Sequence, residues 1–482
     1  MEKSLLKDYI NGRSCDILGL GVSNLPLANK LLSFGANITV HDKKDISALG
    51  DGAAALAESG VSFVSGDGCF DSLKGKLIFR SPGIRPDIKG ITDAVSNGAE
   101  LTSETELFLS LTDAEAFAIT GSDGKTTSTT LTGLFLQAEA DRTQVGRVFV
   151  GGNIGEPLLY RLDDVSVCDR VVMELSSFQL MTVRKTPEYV AITNVSPNHL
   201  DWHKGGMDEY VKAKKNIIGS NTKRFVTNAE SPITASIAAE LSTKNERPDI
   251  YLFSSKRSSF NEIFTFPAKN GDRAIYVKNG NIVISDGSHE EALLDIKRIN
   301  VPGIHNVENF MTAIGLTYGR ADTSVYGKVA DEFFGVEHRL ELVRTLRGVD
   351  YYNSSIDSSP SRTAAALSAL SGRDIVVICG GYDKKIPYEP LALSLCDHVR
   401  AVVLTGATAK KIEEALLGCP NYEKGKPEYV CAPDFRDAVI AAHKLARQGG
   451  CVLLSPASAS FDAFPNFMVR GETFRQIVKN LK

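Results

Sequence analysis

No stretch of this 482-residue chain reaches the roughly 18 apolar residues that cross a bilayer. Its start, with Glu2, Lys3, Lys7 and Asp8, lacks the apolar h-region of a secretory signal. A membrane-embedded or exported protein is therefore not expected, and a cytoplasmic one is. The basic excess of nucleic-acid-binding domains is missing too: 54 basic residues face 58 acidic ones, for a net charge of −4. Any anionic ligand must be held by local groups. The eight cysteines include no C-x-x-C pair, and a chain of this size needs no disulfide staples, so they read as reduced thiols.

Two familiar nucleotide-binding motifs are present but incomplete. In Cys15-Asp-Ile-Leu-Gly-Leu-Gly21 an apolar strand runs into a glycine turn, a helical stretch covers 24–34, and a second strand ends at Asp42. This is a βαβ nucleotide-binding start in which Asn24 stands where G-x-G-x-x-G has its third glycine, and Asp42 is placed to bond a ribose hydroxyl. In Phe117-Ala-Ile-Thr-Gly-Ser-Asp-Gly-Lys-Thr-Thr127 a strand breaks into a phosphate-type loop, but Ile119 occupies the first glycine position of the full motif. Gly121 and Gly124 let backbone N–H groups approach phosphate oxygens, Lys125 can reach the β- and γ-phosphates, and the Thr126 hydroxyl can ligate Mg²⁺. ATP is the first cofactor this suggests; an ordinary strand-to-helix turn with an exposed lysine is the plain alternative.

A prior of about 150 residues per domain gives three domains. The expected boundaries are 1–103, 104–335 and 336–482. The first is Rossmann-like. The central one is α/β with a mostly parallel sheet, its strands including Val171–Glu174, 189–194 and 224–228, and it carries a small antiparallel appendage where Asn279-Gly280 marks a type I′ hairpin. The third alternates again, with apolar strands at Ile375–Cys379, Ala401–Leu404 and Cys451–Leu454, and is Rossmann-like.

In open parallel sheets the carboxyl ends of the strands converge on the ligand crevice. That rule would bring Glu174 and His199 to the phosphate loop around one Mg²⁺–phosphate site. Taken singly, the two read as a surface glutamate and a loop histidine. Together, Thr-Gly-Ser-Asp-Gly-Lys-Thr-Thr, Glu174-Leu-Ser-Ser-Phe-Gln-Leu180, Asn194-x-x-x-x-His-Leu-Asp201 and Gly303-Ile-His-Asn-Val-Glu-Asn309 resemble the Mur ligase family of ATP-dependent amide-forming enzymes, over nearly the whole chain. The tail from Leu454 to Phe467, followed by Arg470-Gly471, is similar to the branch that adds D-glutamate to UDP-N-acetylmuramoyl-L-alanine in peptidoglycan precursor synthesis.

The resemblance implies roles residue by residue. Gly121, Ser122, Asp123, Gly124, Lys125, Thr126 and Thr127 would cradle ATP, and Asn306, Asn309 and Arg339 would meet its adenosine. Thr126 and Glu174 would hold a first Mg²⁺ and His199 a second. Lys214, in Tyr210-Val-Lys-Ala-Lys-Lys-Asn-Ile217, matches the lysine that the family carbamylates into an anionic ligand; a solvated basic helix face is the bland reading. Gly21, Val22, Ser23, Asp42, Gly83 and Asn153 would bind the UDP-substrate. Ser358, Lys384, Ser460, Phe461 and Phe467 would bind D-glutamate, whereas Phe464 reads as core packing. The resemblance further implies small-molecule partners only, as a monomer.

One loop departs from the branch. Where an Asn-Asp-Ser-Lys-Ala-Thr motif is usual, the chain reads Asn353-Ser-Ser-Ile-Asp-Ser-Ser-Pro360, with Ser354 at the aspartate position and Ile356 at the lysine. Asp357 is the candidate replacement carboxylate facing ATP. Competing readings are another ligase of the same superfamily, including a folate-type one, a nucleotide-sugar sensor without turnover, and an oxidoreductase.

Overall fold

The computed structural model describes residues 4–482 except Val22, Glu156, Lys385 and Lys424. The chain divides into two compact units, 1–296 with 307–329, and 297–306 with 330–482.

The first unit contains two sheets. The smaller is wholly parallel and is built from β1 (Cys15–Leu18), β2 (Ile38–Asp42), β3 (Ser62–Ser65), β4 (Leu77–Arg80) and β5 (Glu100–Thr102), in the order β3-β2-β1-β4-β5. The larger has nine strands: β6 (Glu115–Thr120), β7 (Val148–Gly152), β8 (Arg170–Glu174), β9 (Tyr189–Ile192), β10 (Arg224–Asn228), β11 (Asp249–Ser254), β12 (Arg273–Lys278), β13 (Asn281–Ser285) and β14 (Glu290–Asp295). Their order is β14-β13-β12-β11-β10-β9-β6-β8-β7.

Helices cover both faces of a parallel sheet, so its strands need apolar residues on both sides rather than alternation. Strands β6, β8 and β9 show this: from Ala116 to Ile119, Val171 to Met173 and Tyr189 to Ile192 every side chain is buried. Phe117 stacks on Tyr189 across the β6–β9 pair, ring centroids 4.7 Å apart. Truncating such a residue to alanine costs about 3–5 kcal/mol. The Asn279-Gly280 turn forms as read, with φ of 51° and 77° as a type I′ turn requires. The hairpin is not separate from the central sheet. Strand β12 pairs in parallel with β11, and β13 and β14 continue the same sheet antiparallel, so the appendage is its edge.

The second unit has one six-stranded sheet of β15 (Glu341–Leu346), β16 (Val349–Asn353), β17 (Ile375–Cys379), β18 (Ala401–Leu404), β19 (Glu428–Cys431) and β20 (Cys451–Leu454), ordered β15-β16-β20-β17-β18-β19. All pairs are parallel except β15–β16. Strand β15 was not evident in sequence, because its residues are half-exposed and carry Glu341 and Arg344. Among the described residues no helix is long and apolar enough to cross a membrane.

Candidate active site

Strands β9, β6, β8 and β7 are consecutive neighbours, and the loops at their carboxyl ends carry four of the sequence-derived motifs. After β6 the chain must turn sharply into the helix Lys125–Thr143. Gly121 has φ 150° and Gly124 φ 77°. A Cβ at Gly121 would lie 1.9 Å from Thr193 Oγ1, and one at Gly124 2.4 Å from Asn309 Oδ1, so both positions exclude a side chain by space as well as by backbone angle.

The loop is pinned from the β9 side. Ser122 N donates to Asn194 O at 2.9 Å, Asp123 N donates to Asn194 Oδ1 at 3.0 Å, and Ser122 Oγ donates to Ser196 O at 2.9 Å. Lys125 Nζ donates to the carbonyls of Gly121 and Ser122, both at 3.0 Å. Thr127 is buried behind the loop.

The side chains expected at the metal come together in part. Thr126 Oγ1 donates to Glu174 Oε2 at 2.7 Å, and Asn153 Nδ2 donates to Glu174 Oε1 at 2.7 Å. Glu174 is buried, and Asn153 is held by its own N–H on Glu174 O, 2.7 Å. This hydroxyl–carboxylate pair is a hard-oxygen donor set suited to Mg²⁺, which takes one or two carboxylates and completes its shell with phosphates and water. Among the described residues no group of three or more His, Cys, Asp or Glu forms a metal cluster. His199 lies exposed on the loop after β9 in a left-handed conformation, φ 54°, its ring edge-on to Phe178 at 5.0 Å.

Lys214 lies in the helix Gly206–Lys215, yet it is 1% exposed while Lys212 on the same helix is exposed. Its Nζ donates to Gly121 O at 2.7 Å and sits 4.6 Å from the Tyr210 ring centroid. Burial, reinforced by the nearby Lys125 cation, pulls its pKa from 10.5 down to about 6. The bland reading of a solvated basic face fails for this one residue. The sequence holds a signal for this that went unread: Met207, Tyr210, Val211, Ile217 and Ile218 stand at i−7, i−4, i−3, i+3 and i+4 from Lys214, which sets it on the apolar face of the helix.

In the smaller sheet, the ends of the neighbouring strands β2, β1 and β4 carry Asp42, the Gly19–Gly21 turn and the Ser81–Gly83 segment. Asp42 accepts from Leu20 N and Lys44 N, both at 2.9 Å, so its carboxylate also braces the glycine turn. Asn24, in place of the third glycine, donates to Leu18 O, Gly19 O and Ser81 Oγ, closing the turn with a side chain. Ser23 caps the helix Asn24–Ser33 by position, and Gly83 O accepts from Trp202 Nε1 at 3.1 Å. Val22 lies outside the described residues.

Sequence reasoning passed over two residues here. Arg80, buried at the end of β4, donates to Pro82 O, Ile84 O, Phe178 O and Thr182 Oγ1, and burial lowers its pKa to about 10. Arg85 clamps Glu209 at 2.7 Å, donates to Trp202 O and stacks on the Trp202 ring, fixing the His199–His203 loop. Neither fits a short motif; their partners are about 100 residues away in sequence.

Asn309, on the helix Ile304–Thr317, accepts from Ser128 Oγ at 3.3 Å in the first unit, against the phosphate loop. In the second unit Asn306 Nδ2 donates to Pro302 O at 2.6 Å, and Arg339 lies just before β15. Strands β16, β20 and β17 are again adjacent, and the loops at their carboxyl ends hold the remaining candidates. Lys384 Nζ donates to Ser358 O at 3.1 Å and Ser358 Oγ at 3.2 Å, so these two candidates meet. Asp357 is buried, accepts from Ser455 Oγ at 2.8 Å, and is raised to about 6 by that burial. Ser460 is buried, Phe461 is 63% exposed beside Tyr382, and Phe467 stands edge-on to His338. Phe464 packs edge-on to Phe435 at 5.0 Å and is half-buried. Arg470, 2% exposed, donates to Ser355 Oγ and O, Ser458 O and Ala459 O, tying two of the loops together.

Residues 119–317 match the Mur ligase middle domain, and residues 338–458 match the Mur ligase glutamate ligase domain. A curated UDP-N-acetylmuramoylalanine--D-glutamate ligase of Ruminiclostridium cellulolyticum is 42% identical over 99% of this chain and 98% of its own length. The chain belongs to the Mur ligase family. Another Mur ligase with the same printed name, from Acetivibrio thermocellus, is also 42% identical over 99% of the chain and 98% of its own. Among solved structures, UDP-N-acetylmuramate-alanine ligase from Thermotoga maritima shares the Mur ligase fold, with a TM-score of 0.53 at 19% identity over 98% of this chain and 100% of that one. UDP-N-acetylmuramoyl-L-alanyl-D-glutamate--2,6-diaminopimelate ligase does so with a TM-score of 0.54 at 14% identity over 93% of each chain.

Proposed function

We propose that the protein is the ATP-dependent ligase that joins D-glutamate to UDP-N-acetylmuramoyl-L-alanine, a cytoplasmic step of peptidoglycan precursor synthesis. What carries this reading is the full-length similarity to curated ligases of that name, together with a phosphate loop whose threonine hydroxyl is bonded to a buried glutamate. In this reading residues 1–103 bind the UDP-substrate, 104–335 bind ATP and 336–482 bind the amino acid.

The reaction has two stages. The substrate carboxylate attacks the γ-phosphate and becomes an acyl phosphate, releasing ADP. The amine then adds to the acyl carbon, and the tetrahedral intermediate loses phosphate to leave an amide. Neither stage needs a nucleophilic side chain; both need charge neutralised and reactants aligned.

Ser122 and Asp123 commit their N–H groups to Asn194, so the phosphates would be met by the start of the helix Lys125–Thr143 and by the Lys125 ammonium. Bound Mg²⁺ would neutralise charge on the transferring group, held by Thr126 and Glu174, with His199 and carbamylated Lys214 at a second site. Asn153 orients Glu174 and reaches the UDP-substrate. Gly21, Ser23, Asp42 and Gly83 receive the uridine diphosphate. Lys384 with Ser358, Ser460, Phe461 and Phe467 receives D-glutamate.

The test is ADP release with ATP, Mg²⁺ and UDP-N-acetylmuramoyl-L-alanine, comparing D-glutamate with L-glutamate, L-lysine, meso-diaminopimelate and no amino acid. Turnover confined to D-glutamate is expected. Turnover with another amino acid would replace the substrate assignment.

A further inference from the structure

The departure at 354–360 leaves Ile356, an apolar side chain, in a loop that ought to meet a charged ligand. The structure supplies charge there from another direction. Arg362, in the first turn of the helix Pro360–Ala369, folds back so that Nη1 donates to Ile356 O at 3.2 Å. Two residues further on, Ser358 O and Oγ accept from Lys384 Nζ at 3.1 and 3.2 Å. Two cations from different loops are therefore moored on the same three-residue stretch, 356–358. A third, Arg470, is bonded to Ser355 directly before it.

Among the described residues no carboxylate forms a direct ion pair with Arg362 or Lys384, although Asp357 is near enough to feel the Arg362 charge. Asp357, the carboxylate within the loop, turns inward to Ser455 Oγ. Asp383, next to Lys384 in sequence, pairs with Lys411, and Asp462 accepts from Ala407 N at 3.1 Å. Among the described residues, Arg362 and Lys384 bond only to carbonyl and hydroxyl oxygens of 356–358. Both are exposed, so a ligand can reach them. Mutual repulsion costs free energy unless an anion lies between them, and lowering of the Lys384 pKa by partial burial, Arg362 and Arg470 agrees with such crowding.

We propose that Arg362 is a specificity-determining residue whose guanidinium, beside Lys384, binds a carboxylate of the incoming dicarboxylic amino acid. Carbonyl oxygens hold the two cations without cancelling their charge, and a guanidinium offers the planar fork that a carboxylate matches. A neutral amide in place of that carboxylate would meet two cations without a counter-charge, so discrimination against glutamine follows from the same pair. This inference rests on the ligase reading above and names a residue that reading does not use.

The experiment measures ADP release by the full chain with ATP, Mg²⁺ and UDP-N-acetylmuramoyl-L-alanine while D-glutamate is varied, for the wild type, Arg362→Ala and Arg362→Lys. Loss of a charge-assisted contact raises the D-glutamate KM of Arg362→Ala roughly 10- to 100-fold, leaves the KM of ATP and of the UDP-substrate unchanged, and narrows the preference for D-glutamate over D-glutamine. Arg362→Lys recovers part of the loss. An unchanged D-glutamate KM in an active Arg362→Ala enzyme overturns the inference alone. A parallel rise in all three KM values also overturns it, by showing a structural role. A wild type that is silent with D-glutamate but turns over another amino acid overturns the substrate reading and the inference with it.

Discussion

Lys214 offers the sharpest quantitative test of the site. With a pKa of about 6 in the folded chain against 10.5 ordinarily, its amine at pH 7 is roughly nine-tenths neutral, compared with about one part in 3,000 for a solvated lysine. Only the neutral amine adds CO₂, so the proposed carbamylation would need this shift. The same shift has a stability consequence whose sign is fixed. Below pH 6 both folded and unfolded states hold the proton, and the fold carries the cost of a buried cation. Between pH 6 and 10.5 the unfolded state binds more protons, so stability rises by roughly 1.4 kcal/mol per pH unit. From pH 7 to 9 in CO₂-free buffer, Lys214 alone should add about 2–3 kcal/mol to the wild type. The Lys214→Met variant lacks this increment, as the difference between the two urea unfolding profiles at each pH would show. With ¹³C-bicarbonate, the wild type should give a carbamate resonance that Lys214→Met lacks. Parallel pH profiles would refute the buried-cation argument, and a resonance that survives in Lys214→Met would place the carbamate elsewhere.

Three further outcomes follow from specific contacts. Thr126→Ala removes the hydroxyl bonded to Glu174 at 2.7 Å; kcat should fall about 10- to 100-fold with a higher Mg²⁺ requirement, read from ADP release against Mg²⁺ concentration. Glu106 is raised from 4.5 to about 7 by burial, with the Arg184 cation opposing, so its contribution to stability is complete below pH 4.5 and lost as pH rises through 7. Relative to Glu106→Gln, the wild type should therefore lose roughly 3 kcal/mol between pH 4.5 and 7, measured by unfolding at both pH values. Arg470→Met leaves the carbonyls of Ser355, Ser458 and Ala459 without their donor and should destabilise the second unit by about 3 kcal/mol; a change under about 1 kcal/mol would show that these loops hold without it.

The sequence was most legible where chemistry and backbone demand coincide within a few residues. Gly121 and Gly124 were identifiable because a phosphate loop needs positive φ and bare backbone, and the Cβ clashes at both positions express the same demand. Asn279-Gly280 was legible for a similar reason. Strand β15 was not, because an edge strand with half-exposed residues shows no apolar run. Arg80, Arg85 and Arg362 were missed because a lone arginine has no periodic signature and its role depends on which carbonyls or carboxylates surround it.

The sequence by itself determined the order of α/β units, the phosphate loop with Lys125 and Thr126, and the family to which those motifs belong, since each depends on neighbours within one turn or one strand. Only the tertiary structure decided that the buried ammonium of Lys214 meets Gly121 O behind the phosphate loop. It also decided that Asn153 and Thr126 share the two oxygens of Glu174, and that Arg362 and Lys384 meet on 356–358. The physical reason is that desolvation and charge pairing are set by atoms a few ångströms away in space, and in a parallel sheet those atoms come from strands separated by whole helices in sequence.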